Sequence, residues 1–139
     1  MARLIRDVMT KDPGTVEGSA TVREAAELMR RADVGAVLVT SGGTLQGILT
    51  DRDIVVRAVA DGRAPDEVAV SDVVTAQPET VSPDDPVEEA IRDMRSKGIR
   101  RLPVVEGDRP VGILSLGDLA VERDTDSALA EISAQDPNN

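Results

Sequence analysis

"GILTDRD" (Gly47–Asp53) is followed, 65 residues further on, by "GILSLGD" (Gly112–Asp118). Both copies keep a glycine, a hydroxyl and a carboxylate at the same spacing. Working outward from this pair, residues 5–56 align with 70–121 at the one offset without a gap, and 18 of those 52 positions are identical. The identities include Asp7/Asp72, Val8/Val73, Thr10/Thr75, Pro13/Pro78, Thr15/Thr80, Val16/Val81, Ala25/Ala90, Met29/Met94 and Asp53/Asp118. A gapless match of that length is the mark of an internal repeat, and a repeat governs every later reading of the chain.

Each copy gives the same order of elements. A short helical turn, "IRDVMT" or "VSDVVT", comes first, and an extended piece follows at "TVE" or "TVS". Val22, Ala25, Ala26 and Met29 then stand at i, i+3, i+4 and i+7, as do Val87, Ala90, Ile91 and Met94, which predicts two amphipathic helices. Thr21-x-x-Glu24 reads as a capping box for the first, and Asp85-Pro86-x-Glu88 as cap, N1 proline and N3 acid for the second. "GAVLVT" and "LQGILT" flank Ser41-Gly42-Gly43, a hairpin signal whose counterpart is "RRLPVVE", Gly107-Asp108 and "PVGILS". Further helices start at Asp51 and Leu116.

The expected fold is therefore mixed α/β (α+β), β-α-β-β-α twice. Residues 1–62 form the first repeat, 63–69 a linker, 70–124 the second repeat and 125–139 an acidic tail, in which Leu129 and Ile132 supply one short helix. About 55 residues are marginal for an independent domain. The repeats are expected to share one core with pseudo-two-fold symmetry, and the cleft between them is a natural ligand site.

Composition removes whole classes of chemistry. Cysteine and histidine are both absent from the 139 residues, which excludes disulfides, thiolate catalysis, Cys-bound metal and the commonest general base. With 16 basic against 26 acidic residues the net charge is −10, which argues against nucleic acid as a partner. No Phe, Tyr or Trp is present, so bases cannot be stacked on aromatic rings. No apolar run reaches the ~18 residues a membrane helix needs, and "MARLIRDVMTKD" has no signal-peptide pattern. The expected protein is soluble and cytoplasmic, with no membrane partner. It carries no nucleophile-elbow or Walker motif, so an enzymatic role is not expected.

The T/S-x-x-D spacing admits two readings. Thr50 or Ser115 at N-cap with Asp53 or Asp118 at N3 is a capping box, worth ~1 kcal/mol. The same carboxylate can accept both hydroxyls of a vicinal diol such as a ribose, at ~1.5–3 kcal/mol per charge-assisted bond. The hydroxyl three residues earlier then serves a phosphate or ribose oxygen. Gly47 and Gly112 suit either close backbone approach or plain strand packing.

The order of elements, with "DVMT", the T-V piece, R-R-L-P-V and the doubled G-h-h-[T/S]-x-x-D, resembles a tandem pair of CBS domains, the Bateman module. The resemblance runs over about residues 3–122 and extends, in "LTDRDIVVRAVADG", to small free-standing bacterial CBS-pair proteins, some tied to stress or low-oxygen responses. It implies two small sheets with flanking helices, up to two adenosine-ligand sites, pairing of two modules as a homodimer, and regulation of a separate protein. It implies that Asp53 and Asp118 bind ribose. One implied site joins Thr50 and Asp53 to Thr80, Val81 and the Arg100-Arg101-Leu102-Pro103 stretch. The other joins Ser115 and Asp118 to Thr15, Val16 and Gly35-Ala36-Val37, without the arginines that suit phosphate. Adjacent strand residues face opposite ways, so Arg100 and Arg101 cannot both point straight at one phosphate. Adenine is expected between aliphatic side chains such as Val81, Leu102 and Ile48, its edge read by backbone groups, with micromolar affinity, about 8 kcal/mol. No cofactor is required; an adenine nucleotide (AMP, ADP or ATP) is the expected regulatory ligand. S-adenosylmethionine or NAD, or an interaction scaffold with an unoccupied cleft, are the alternatives.

Overall fold

The computed structural model describes residues 3–76 and 79–123; the expected tail helix around Leu129 and Ile132 lies outside them. In chain order the elements are α1 (Ile5–Val8), β1 (Thr10–Lys11), β2 (Thr15–Glu17), α2 (Val22–Ala32), β3 (Ala36–Ser41), β4 (Thr44–Thr50), α3 (Asp51–Ile54), β5 (Thr75–Ala76), α4 (Val87–Lys97), β6 (Arg101–Glu106), β7 (Arg109–Ser115) and α5 (Leu116–Arg123). A π-helical turn (Val55–Val59) prolongs α3, and a 3-10 turn (Val70–Asp72) precedes β5. The mixed α+β class and the two rounds of strands and helices agree with the sequence reading.

The chain divides into two compact units. One is the continuous stretch Gly14–Pro78; the other is split, joining the residues up to Pro13 to those from Glu79 onward. Repeat and unit are thus different divisions of the chain. The opening segment of each repeat is hydrogen-bonded beside the hairpin of the other: β1 pairs with β7, and β5 with β4.

In the continuous unit the sheet order is β2-β3-β4-β5. β2 runs parallel to β3 (Thr15↔Leu38), and β3 and β4 form the expected hairpin, with Ala36↔Thr50 at its open end. Gly42 (φ 60°) and Gly43 (φ 89°) make its turn, in the left-handed region that glycine enters freely. α2 starts at the expected box: Glu24 N donates to Thr21 Oγ1 at 3.1 Å and Thr21 N to Glu24 Oε2 at 3.4 Å. Its buried stripe is Val22, Ala25 and Met29, packed on Val37, Val39 and Leu49; Ala26, expected on that stripe, is exposed. The stretch expected as a linker is partly core. Val68 is 2% exposed, its carbonyl accepts from Val22 N at 2.9 Å, and Ala69 bridges Thr21.

In the split unit the order is β1-β7-β6. α4 buries Val87, Ala90 and Met94 against Ile5, Leu102, Val104, Leu114 and Leu119. Its start departs from expectation. Pro86, not Asp85, is the N-cap residue, and it makes no side-chain cap bond. Asp85 instead closes a turn by accepting from Ser82 N at 2.9 Å, and Val87 N donates to Arg3 O at 2.9 Å. The extended piece around Thr80 shortens to one parallel bridge, Val81↔Val104. Prolines remove a donor at each end: Pro83 stands where Gly18 N donates to Thr40 O at 2.9 Å in the continuous unit, and Pro103 acts at the other end. In the continuous unit Leu38 N donates to Gly14 O at 2.9 Å; proline at the matching position has no N–H, so that rung cannot form.

Gly47 and Gly112 are explained by these added strands. A Cβ on Gly112 would lie 2.9 Å from Thr10 O and 2.6 Å from Met9 Sδ. One on Gly47 would run into Thr75 O and sit 2.8 Å from Val74 Cγ2. Of the two roles open in the sequence, the structure shows strand packing for both. Among the described residues no helix is long and apolar enough to cross a membrane.

Candidate functional site

The G-h-h-[T/S]-x-x-D motif ends a strand and starts a helix in each unit. In the continuous unit Thr50 N donates to Asp53 Oδ2 at 3.0 Å and Asp53 N to Thr50 Oγ1 at 3.1 Å. In the split unit Ser115 N donates to Asp118 Oδ2 at 2.9 Å and Asp118 N to Ser115 Oγ at 3.1 Å. The capping box is therefore real at both places. It does not exhaust the carboxylates, since a carboxylate has about four lone-pair positions and the box takes one. Both aspartates are half-buried. A backbone bond fixes where each helix begins: Asp51 N to Gly35 O and Leu116 N to Arg100 O, both 2.9 Å.

The carboxylates differ in their surroundings. Burial raises the Asp118 carboxyl above its usual value, and hydrogen bonds from Ser115 and the Thr10 hydroxyl pull the other way. The bonds of Asp53 among the described residues are those to Thr50. The sequence reading missed Thr10. Its signal was the Thr10/Thr75 identity within "DVMT" and "DVVT".

Strand register sorts the remaining candidates, because residues directly opposite or two apart share a face. In the continuous unit Thr15, Ala36, Ile48, Thr50 and Thr75 lie on the face away from α2. In the split unit Thr10, Arg101, Pro103 and Ser115 lie on the face away from α4, and alternation from Val81 adds Thr80. Arg101 stands directly opposite Ser115, whereas the matching residue opposite Thr50 is Ala36. Arg100, exposed, precedes β6 and contributes its carbonyl to the start of α5. Pro103 is fully buried.

Three expected aliphatic or edge contacts fall on the wrong side. Val81 (6% exposed) and Leu102 (0%) sit in the core beneath α4, and Val16 packs on the core beneath α2. Val81 also spends both backbone groups on β6, donating to Pro103 O at 3.0 Å and accepting from Val105 N at 2.9 Å. Their side chains therefore offer no wall for a base on the motif face, which leaves Ile48, half-buried beside Thr50. Alternation turns the backbone groups of Thr15 and Thr80 outward, to the open sheet edge. The edge at Thr15 is braced by Glu17, which accepts from Thr40 Oγ1 at 2.5 Å and Gly42 N at 3.1 Å. The same two bonds, the Thr40 one foremost, hold the Glu17 carboxyl below its usual range.

Known proteins share this architecture. The chain is 42% identical over 135 residues to the CBS domain-containing protein YhcV of Bacillus subtilis, covering 94% of this chain and 96% of that one. It is 32% identical over 116 residues to Hypoxic response protein 1 of Mycobacterium tuberculosis, covering 83% and 81%. The hexameric CBS-CP12 protein from bloom-forming cyanobacteria superposes with a TM-score of 0.79 at 31% identity, over 89% of this chain and 70% of that one. The CBS domain family model matches residues 5–59 and again residues 70–123, the two repeats first visible in the doubled motif. The chain thus belongs to the CBS domain family and carries the domain in tandem, the arrangement of a regulatory module.

Proposed function

We propose that this CBS pair binds an adenosine-containing nucleotide and passes its occupancy to a separate protein. The observation that carries the reading is the geometry of Asp53 and Asp118. Each is half-buried at the start of a helix and fixed by a reciprocal bond to Thr50 or Ser115, with acceptor positions left over. A ribose presents two adjacent hydroxyls to such a carboxylate, and each bond is charge-assisted. Thr15 and Thr80 hold outward backbone groups able to read a base edge. Arg101, in the stretch that the resemblance joins to Thr50 and Asp53, suits a phosphate.

The stretch that the resemblance joins to Ser115 and Asp118 has Ala36 where the stretch joined to Thr50 and Asp53 has Arg101, and the whole chain carries a charge of −10. Both features favour a second reading at the Asp118 site, an uncharged or cationic adenosine derivative such as S-adenosylmethionine. Val55, Val56 and Val59, all about half exposed on the π-helical turn, support self-association as a homodimer. The similarity to Hypoxic response protein 1 supports a stress-linked role.

Thermal unfolding with AMP, ADP, ATP, NAD and S-adenosylmethionine tests the proposal. A ligand at 100 times its Kd adds about 2.7 kcal/mol, or roughly 5–10 °C for a chain of this size. Asp53→Ala and Asp118→Ala should each reduce that gain. Without aromatic residues the chain absorbs almost nothing at 280 nm, so a 260 nm band in the purified protein reports carried nucleotide. A flat spectrum and no shift with any of the five compounds would sink the proposal.

A further inference from the structure

We infer that the π-helical turn Val55–Val59 is a conformational device, held in its wide winding by the grip of Arg57 on the opening segment of the second repeat, so that release of the grip rewinds the turn and re-aims its exposed valines. The device stands whether or not the chain takes a ligand. Ala60 N donates to Val55 O at 2.8 Å, a bond that spans five residues where an α-helix spans four. Turns of this kind are rare and are frequent at functional sites. The local sequence does not demand the winding. No glycine or proline lies between Asp51 and Asp61 to break an α-helix. Core burial does not select it either: Ile54 and Ala58, the buried pair, stand four apart, a spacing that keeps both on one face in either winding.

What distinguishes the turn is a tether. Arg57 Nη1 donates to Val73 O at 3.1 Å, the carbonyl just past the 3-10 turn Val70–Asp72. The trailing chain is tied to the same place, since Arg63 N donates to Ala58 O at 3.0 Å and the Arg63 side chain pairs with Asp72 at 3.7 Å. That ion pair is exposed and weak, whereas the Arg57 bond is part-buried and charge-assisted. Residues in a π turn are rotated back about the axis relative to α winding, because more of them fill each turn. The direction of Arg57 therefore depends on the winding, and the bond to Val73 O belongs to the wide one. The other repeat supplies the comparison. α5 stays α-helical from Leu116 to Arg123, over the residues matching Asp51–Ala58. At the position of Arg57 the sequence there has Glu122, and a carboxylate has no N–H to give to a carbonyl. Val55, Val56 and Val59, each 48–56% exposed, lie on the tethered turn, so their outward directions follow its winding.

The test reads the winding directly, in the ligand-free full chain. Scalar couplings across hydrogen bonds, measured by NMR on nitrogen- and carbon-labelled protein, show which carbonyl the Ala60 amide meets. In the unchanged chain the coupling should fall on Val55. Arg57→Met removes the donor, and Arg57→Gln, shorter and uncharged, is a second variant should methionine there prevent folding. In either, the Val55 coupling should be lost and one to Val56, the α-helical partner, should appear. The relaxation of the Val55, Val56 and Val59 methyls by a soluble gadolinium chelate should be redistributed among the three at the same time. Arg63→Met, which breaks only the exposed ion pair, should leave the coupling on Val55. A Val55 coupling that survives in a folded Arg57 variant overturns the inference, as does one moved to Val56 in Arg63→Met or already found there in the unchanged chain.

Discussion

Replacing Gly47 by alanine adds one methyl group where the backbone of β5 approaches β4 closely. The new Cβ would collide with Thr75 O, and Val74 Cγ2 and Thr75 C lie 2.8 and 3.1 Å from it. Two of these three atoms are main chain and cannot rotate away, so β5 must leave β4. Overpacking of this kind costs about 1–3 kcal/mol, and a backbone obstruction belongs at the upper end. Alanine's smaller unfolded-state entropy returns about 0.5–1 kcal/mol, leaving a loss of about 2 kcal/mol. At roughly 2–4 °C per kcal/mol, the Tm should fall by about 4–8 °C. Gly112→Ala should cost less, because the nearest atom there is the Met9 thioether at 2.6 Å, the end of a flexible side chain. Far-UV circular dichroism melts measure both, and hydrogen exchange should report faster exchange at the β5 amides in Gly47→Ala. A Gly47→Ala melt within about 1 °C of wild type, or a larger loss in Gly112→Ala, would refute the steric account.

Val68→Ala tests whether the 63–69 stretch is core: two buried methyl groups at ~0.8 kcal/mol each, with a cavity term, give about 2 kcal/mol of destabilisation by urea titration, against almost none for a true linker. Asp118→Asn should raise the Tm of the ligand-free protein at pH 7. The folded carboxyl is raised above its ordinary value by burial, so its stabilising share is complete below the unfolded pKa and is lost as pH rises through the folded one. The gain should therefore vanish in melts below about pH 3.8, the ordinary carboxyl value, and its persistence there would contradict the burial argument.

The doubled motif, both amphipathic helices, both hairpins and the Thr21 box were legible because each is a local pattern with its own period or cap. The facing of Val81 and Leu102 was not. "RRLPVVE" is apolar on both sides of the strand, with Leu102, Pro103 and Val104 all buried, and a run without alternation does not say which side chain looks which way. Nor was the destination of "DVMT" and "DVVT" legible. β1 and β5 are two residues long, too short for any periodicity, and their partners are chosen by backbone approach to Gly47 and Gly112. The Asp85 misreading has a similar source: Ser82 lies three residues before it and competes for the same carboxylate. At the motif itself, sequence left cap and ribose holder as rivals, while the geometry shows a cap that still leaves acceptor positions.

The crossing of opening segments between units also bears on how the chain is made. On the ribosome the continuous unit, Gly14–Pro78, can close as soon as it emerges, all its strands in hand. The split unit cannot. Its Ile5 donates to Asp85 O at 3.0 Å, and Arg6 pairs with Asp84, 78 residues away. The helical turn α1 must therefore wait, unpartnered, through the birth of the whole continuous unit. Closure of so long a loop is entropically slow, so the split unit, rather than the continuous one, is the later to finish folding.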